Sequence, residues 1–180
     1  AWAEPALVYD MGGKFDKSFN EAAFRGMERW KKETGKNYLE FEIANESQRE
    51  QAMRKMAERN ASPIVGVGFS MGSSMEKVAK EFPKLKFTVI DFVIDLPNVE
   101  SVVFKEHEGS FLVGMMAAMA SKSGKVGFVG GMEIPSVKST FLAFAAGADH
   151  ARAGYRVTTS YLGNWDDVGA ARTAMLPAST

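Results

Sequence analysis

Residues 38–67, YLEFEIANESQREQAMRKMAERNASPIVGV, decide the fold class. Short runs rich in aromatic and β-branched residues at Tyr38–Ala44 and Pro63–Val67 read as strands, and between them Ser47–Asn60 carries Met53, Met56 and Ala57 at helical spacing. A strand, a helix and a second strand joined by short links make a parallel βαβ unit with a right-handed crossover. The pattern extends in both directions. Upstream, Ala6–Asp10 reads as a strand and Ser18–Glu33 as a helix with Ala23, Met27 and Trp30 at helical spacing. Downstream comes a helix over Ser73–Phe82, with Met75, Val78, Ala79 and Phe82 apolar, then strands at Lys86–Asp91 and Val99–Phe104. Each of the three helices opens on a serine followed three residues later by glutamate (Ser18 and Glu21, Ser47 and Glu50, Ser73 and Glu76), the spacing of a capping box. The expected fold is therefore α/β: a parallel sheet with helices on both faces.

After Phe104 a helix runs through Phe111, Leu112, Met115 and Met119, until Ser121-Lys122-Ser123-Gly124 breaks it. This break is the expected boundary between an N-terminal α/β lobe, residues 1–122, and a partial C-terminal lobe, residues 123–180. The later part offers strands at Lys125–Val129 and Tyr155–Leu162, a helix over about Val137–Arg152 and another opening near Asp166. That is too little for an independent lobe. A homo-dimer is one expected way to cover its open sheet edges and unfinished core.

Composition narrows the function. The chain of 180 residues is 46% hydrophobic and 24% charged with six prolines, so it can bury a core. Its 22 basic residues balance 22 acidic ones, which leaves no net field to attract nucleic acid, and no nucleic-acid partner is expected. The longest apolar run, Phe111–Ala120, is ten residues, half the roughly 20 that a transmembrane helix needs. Without cysteine there are no disulfides, thiolate nucleophiles, zinc fingers or iron–sulfur clusters, and the isolated His107 and His150 suggest no metal site. Gly66, Gly68 and Gly72 are spaced one residue too long for a dinucleotide fingerprint and follow the third strand instead of the first. Gly12-Gly13-Lys14 is followed by Phe15, where a phosphate loop needs Ser or Thr. No nucleophile and base are recognisably paired. Binding is expected rather than catalysis, with no cofactor. The opening Ala1-Trp2-Ala3 has the small-x-small form of a signal-peptidase tail.

Open parallel sheets bind ligands beyond the carboxyl ends of their strands. That edge carries Asp10, Asp16, Asp91 and Asp95, offset by Lys14 and Lys17 alone. Carboxylates accept hydrogen bonds from hydroxyl and amino groups and repel phosphate, so the expected ligand is neutral or cationic and rich in donors. Asp95, ahead of Leu96-Pro97-Asn98, reads as a turn residue. Phe19, one residue into its helix, either stacks on a planar heterocycle or packs on Ala23. Gly68, Phe69 and Ser70, after the third strand, complete the candidate site.

Five segments carry a resemblance: Val8-Tyr9-Asp10-Met11-Gly12-Gly13 with Asp16-Lys17-Ser18-Phe19-Asn20; Val65-Gly66-Val67-Gly68-Phe69; Val89-Ile90-Asp91; Phe104 through Gly114; and Gly127-Phe128-Val129-Gly130-Gly131-Met132-Glu133-Ile134-Pro135. Together they resemble the basic membrane protein family of solute-binding proteins, which feed bacterial ABC importers and several of which take up purine nucleosides. The resemblance implies a type I periplasmic binding-protein fold, two α/β lobes closing on a ligand, here with the second lobe truncated. It implies that Asp10, Phe19, Asn20 and Asp91 contact a nucleoside. ABC permease subunits as partners follow from it, as does a periplasmic or otherwise extracytoplasmic location, soluble or lipid-anchored in the precursor. Residues Ser136–Thr140 depart from the family pattern, and the truncated lobe would supply a further aromatic, an aspartate and a lysine. The rival reading is the ligand-sensing effector module of a transcriptional regulator, which has the same two-lobed fold.

Overall fold

The computed structural model describes residues 3–175; Ala1 and Trp2 of the small-x-small tripeptide lie outside them. Strands β1 (Ala6–Tyr9), β2 (Leu39–Glu42), β3 (Ile64–Gly66), β4 (Phe87–Ile90) and β5 (Val99–Val102) form a parallel sheet in the order β2-β1-β3-β4-β5. Helices α1 (Phe19–Thr34), α2 (Gln48–Glu58) and α3 (Gly72–Glu81) make the crossovers. All five strands and three helices expected from periodicity are present, with ends moved by one or two residues.

Helices cover both faces. On one side Ala52, Met53, Met56 and Ala57 of α2 and Met75, Val78 and Ala79 of α3 pack against Ala6, Val8, Ile64, Phe87 and Val89. On the other, Leu7 and Tyr9 lie under Ala23, Phe24 and Met27 of α1. Strand β1 is thus buried on both faces, as befits the centre of a parallel sheet. Each fully buried Leu, Val or Met side chain contributes about 1.5–3 kcal/mol.

The three serine and glutamate pairs do not form capping boxes. Ser18 and Ser47 stand at N-caps without a side-chain cap bond, and Ser73 lies inside α3, which begins one residue earlier behind a 3₁₀ turn at Phe69–Met71. Each glutamate turns instead to the base one helical turn on: Glu21 to Arg25, Glu50 to Arg54, Glu76 to Lys80. A charged partner within reach outcompetes the neutral N–H that a capping box offers.

Arg54 also reaches Glu81 at 2.6 Å and so ties α2 to α3. Its hydrogen bonds hold Glu50 and Glu81 below the ordinary 4.5, with Lys77 adding to the effect at Glu50. A carboxyl lowered in the folded state contributes stability above its unfolded pKa, and that stability is lost as pH falls through the lowered value. Replacing both with glutamine (Glu50→Gln, Glu81→Gln) is expected to flatten the fall of the urea midpoint with acid below pH 4.5. An acid limb identical to wild type would show that the bridge is absent in solution. Glu81 is exposed and Arg54 and Glu50 are only partly buried, so the effect is small.

The chain divides into two compact units after Phe104. Helix α4 (Glu106–Ala120), grouped with the first lobe by the boundary expected at 122/123, belongs to the later unit because it packs backbone to backbone on α5 (Pro135–Ala151). A Cβ on Gly114 would come within 2.0 Å of the Phe144 carbonyl oxygen, and one on Gly147 within 1.9 Å of that of Phe111. The Ser110 hydroxyl donates to the Thr140 carbonyl (2.8 Å) across the same contact. Strands β6 (Lys125–Gly130) and β7 (Arg156–Tyr161) pair in parallel, and α6 (Val168–Met175) follows. Among the described residues of this unit, the buried apolar side chains are Ala118, Phe144 and Ala148, whereas Leu112, Val113, Met116 and Met119 of α4 are exposed. The unit is an α/β layer of a two-stranded parallel sheet with its helices. Among the described residues no helix is long and apolar enough to cross a membrane.

Candidate functional site

From β1 the chain crosses outward to β2, returns past β1 to β3 and continues to β4. The reversal sets the loops that follow β1 and β3 side by side, the place where open α/β sheets bind ligands. The carboxylate of Asp10 meets Gly68 there: Oδ2 lies 3.9 Å from where a Cβ on Gly68 would stand. Gly68 has a φ of 96°, a left-handed conformation that favours glycine, and opens the 3₁₀ turn that contains Phe69 and Ser70.

Asp10 is held from three directions. The Asn20 carboxamide, 2% exposed, accepts the Asp10 N–H at 3.1 Å and donates to the Asp10 carbonyl at 2.9 Å and to that of Gly13 at 3.1 Å. Arg49, buried at the start of α2, donates from Nε to Asp10 Oδ1 at 2.9 Å. Asn20, expected at the ligand, is therefore engaged inside the protein as the organiser of the loop. Asp16 is likewise engaged: its carboxylate accepts the backbone N–H groups of Ser18 (2.8 Å), Asn20 (3.2 Å) and Glu21 (3.1 Å), which caps α1 with a negative charge.

The uncompensated acidic edge expected from sequence is corrected accordingly. Asp10 has Arg49 as counter-ion, and Lys14 pairs with Glu40 and lies over the Phe24 ring at 5.0 Å instead of offsetting the aspartates. Arg49 escaped notice because it is remote in sequence. Its one signal is position, since a cation in the first turn of a helix opposes the helix dipole and needs a partner.

Asp91, just after β4, has φ 67° and donates its N–H to the Val102 carbonyl at 2.7 Å. A non-glycine residue in this region is uncommon and clusters at functional sites. Beside it Phe92, which sequence reading passed over, fills the space that the absent side chain of Gly72 leaves and meets Phe69 edge to face at 5.1 Å. The loops after β1, β3 and β4 thus form one continuous edge. Phe19, at the start of α1, is 46% exposed. A shallow depression of about 460 Å³, lined by Lys17, Ser18, Glu21, Ala22 and Arg25, adjoins the start of α1 and includes none of Asp10, Gly68 and Asp91. Among the described residues no cluster of histidine, aspartate or glutamate side chains is arranged to hold a metal ion.

The family model Bmp, described as ABC transporter substrate-binding protein PnrA-like, matches residues 4–176. The chain belongs to this family. Bmp proteins are substrate-binding components of ABC transporters, not enzymes. The ABC transporter nucleoside-binding protein BmpA of Lactococcus lactis subsp. cremoris is 32% identical over 173 residues, which are 93% of this chain and 49% of that protein. The crystal structure of an ABC transporter solute-binding protein from Aeropyrum pernix K1 superposes with a TM-score of 0.85 and 27% identity, over 95% of this chain and 50% of that one. The chain spans about half the length of these relatives. A transcriptional activator of the comK gene from Bacillus halodurans, which covers 95% of this chain and 58% of its own, matches with a TM-score of 0.71 and 19% identity. That likeness reaches the fold alone, whereas the Bmp match reaches the family.

Proposed function

We propose that this Bmp chain is the first lobe, with part of the second, of an extracytoplasmic receptor that binds a purine nucleoside and delivers it to an ABC permease. The observation that carries the reading is the Asp10 carboxylate, fixed at the strand-order reversal with one oxygen toward Gly68, on the loop that leads to the half-exposed ring of Phe19. An acceptor beside an open aromatic face suits a ribose hydroxyl and a planar base. The name of the Lactococcus relative, a nucleoside-binding protein, supports the same ligand class. Asp91, Phe69 and Ser70 would line the wall, and a second lobe closing over it would exclude water. A homo-dimer would cover the exposed face of α4, which light scattering reads directly.

Calorimetric titration with inosine, guanosine and adenosine is the test. Binding of at least one is expected, weaker than in a complete two-lobed relative, and absence of heat for all three would overturn the nucleoside reading. Phe19→Ala is expected to weaken that binding by roughly five- to 150-fold, the equivalent of a stacking contact of about 1–3 kcal/mol. Its urea midpoint should match wild type, because the ring is half exposed.

A further inference from the structure

We infer that Arg49 is a positioning residue of the solute site: it commits one oxygen of Asp10 to the protein and leaves the other, beside Gly68, as the acceptor offered to the solute. The inference rests on the reading above that Asp10 contacts the solute. The geometry is specific. Arg49 Nε meets Asp10 Oδ1 at 2.9 Å, Oδ2 lies on the Gly68 side, and both side chains are largely buried. The Asn20 carboxamide brackets the backbone of Asp10 at N–H and carbonyl, so the carboxylate has little freedom beyond rotation about its own side-chain bonds. The guanidinium removes that freedom. Glu46, 3.9 Å from Arg49 and exposed, is too distant and too wet to compete for it.

A carboxylate held in this way accepts at a fixed point before the solute arrives, which is how a supporting residue raises affinity without touching the ligand. Arg49 suits the task better than lysine would, because a planar guanidinium fixes the direction of the bond as well as its charge. Nothing in this role requires Arg49 to meet the solute. Its effect should vanish when Asp10 can no longer act as the charged acceptor.

The experiment is a double-mutant cycle on affinity for whichever of inosine, guanosine and adenosine binds wild type most tightly. Arg49→Met is expected to weaken binding about tenfold in the Asp10 background and less than about twofold in the Asp10→Asn background. Arg49→Lys, which keeps the charge and loses the fork, should fall between wild type and Arg49→Met and guards against a methionine variant that fails to fold. Urea midpoints for all variants separate lost affinity from lost structure. Equal losses in both backgrounds, or no loss in either, would overturn the role of Arg49 while leaving the nucleoside reading intact. Failure of wild type to bind any of the three removes the reading and this assignment together.

Discussion

Alanine at position 147 is expected to break the second unit apart. The Cβ of Gly147→Ala would stand 1.9 Å from the Phe111 carbonyl oxygen, and the obstacle is backbone in the middle of a helix, which cannot rotate away as a side chain can. Overpacking a core costs about 1–3 kcal/mol when side chains can adjust; here the helices must separate, and the loss should exceed about 3 kcal/mol, from a unit that buries few apolar side chains. Amide hydrogen exchange should show residues 106–120 and 135–151 losing protection together, with the five-stranded sheet unaffected. Gly109→Ala is the control, since it lies on α4 with nothing within 4 Å of the new methyl. It should stabilise by about 0.5–1 kcal/mol through reduced freedom of the unfolded chain. If Gly147→Ala proves as benign as Gly109→Ala, the close crossing of α4 and α5 does not exist in solution.

Loss of the Asn20 carboxamide should be the next most damaging change. It serves the N–H and carbonyl of Asp10 and the carbonyl of Gly13 from a position 2% exposed. Stranding buried backbone groups costs about 1–3 kcal/mol each when water cannot replace the bond. Because these bonds are only part-buried and water can replace some of them, Asn20→Ala should cost about 2–4 kcal/mol by urea denaturation. Asn20→Asp discriminates the cause: it preserves the shape but turns a carboxylate oxygen toward two carbonyl oxygens, so it should be at least as harmful. A wild-type midpoint for Asn20→Asp would show that the site is held by shape and not by its donors.

The two variants touch parts of the molecule that differed in legibility. Strands and helices of the first unit were visible because apolar spacing answers to local geometry, and Met53, Met56 and Ala57 face the sheet as their period requires. The candidate edge was legible for a related reason, since the order of strands and helices tells which loops end up at the carboxyl side. What could not be read was the allocation of polar side chains among competing partners. Ser18, Ser47 and Ser73 matched a local motif, yet nearby arginine and lysine side chains drew the glutamates away. The side chains of Asp16 and Asn20 turn to backbone groups of their own loop, because what a polar side chain bonds depends on how the loop closes and not on its place in the sequence. Arg49 met Asp10 from 39 residues away, a contact that no local period announces. Helix α4 defied its own pattern: Leu112 and Met119 face outward, and Gly114 and Ala118 face inward. Close approach of two backbones selects small residues where periodicity looks for large ones.

The Asn20 carboxamide joins the end of β1 to the second residue of α1, so strand terminus and helix start move as a single piece. Their mutual geometry is settled when the lobe folds. If, as proposed, a solute binds at Asp10, it would meet an acceptor already aimed, and little conformational entropy would remain to be lost by this loop on association. On that proposal, the heat and entropy of binding would report the shedding of water and hardly the freezing of this loop.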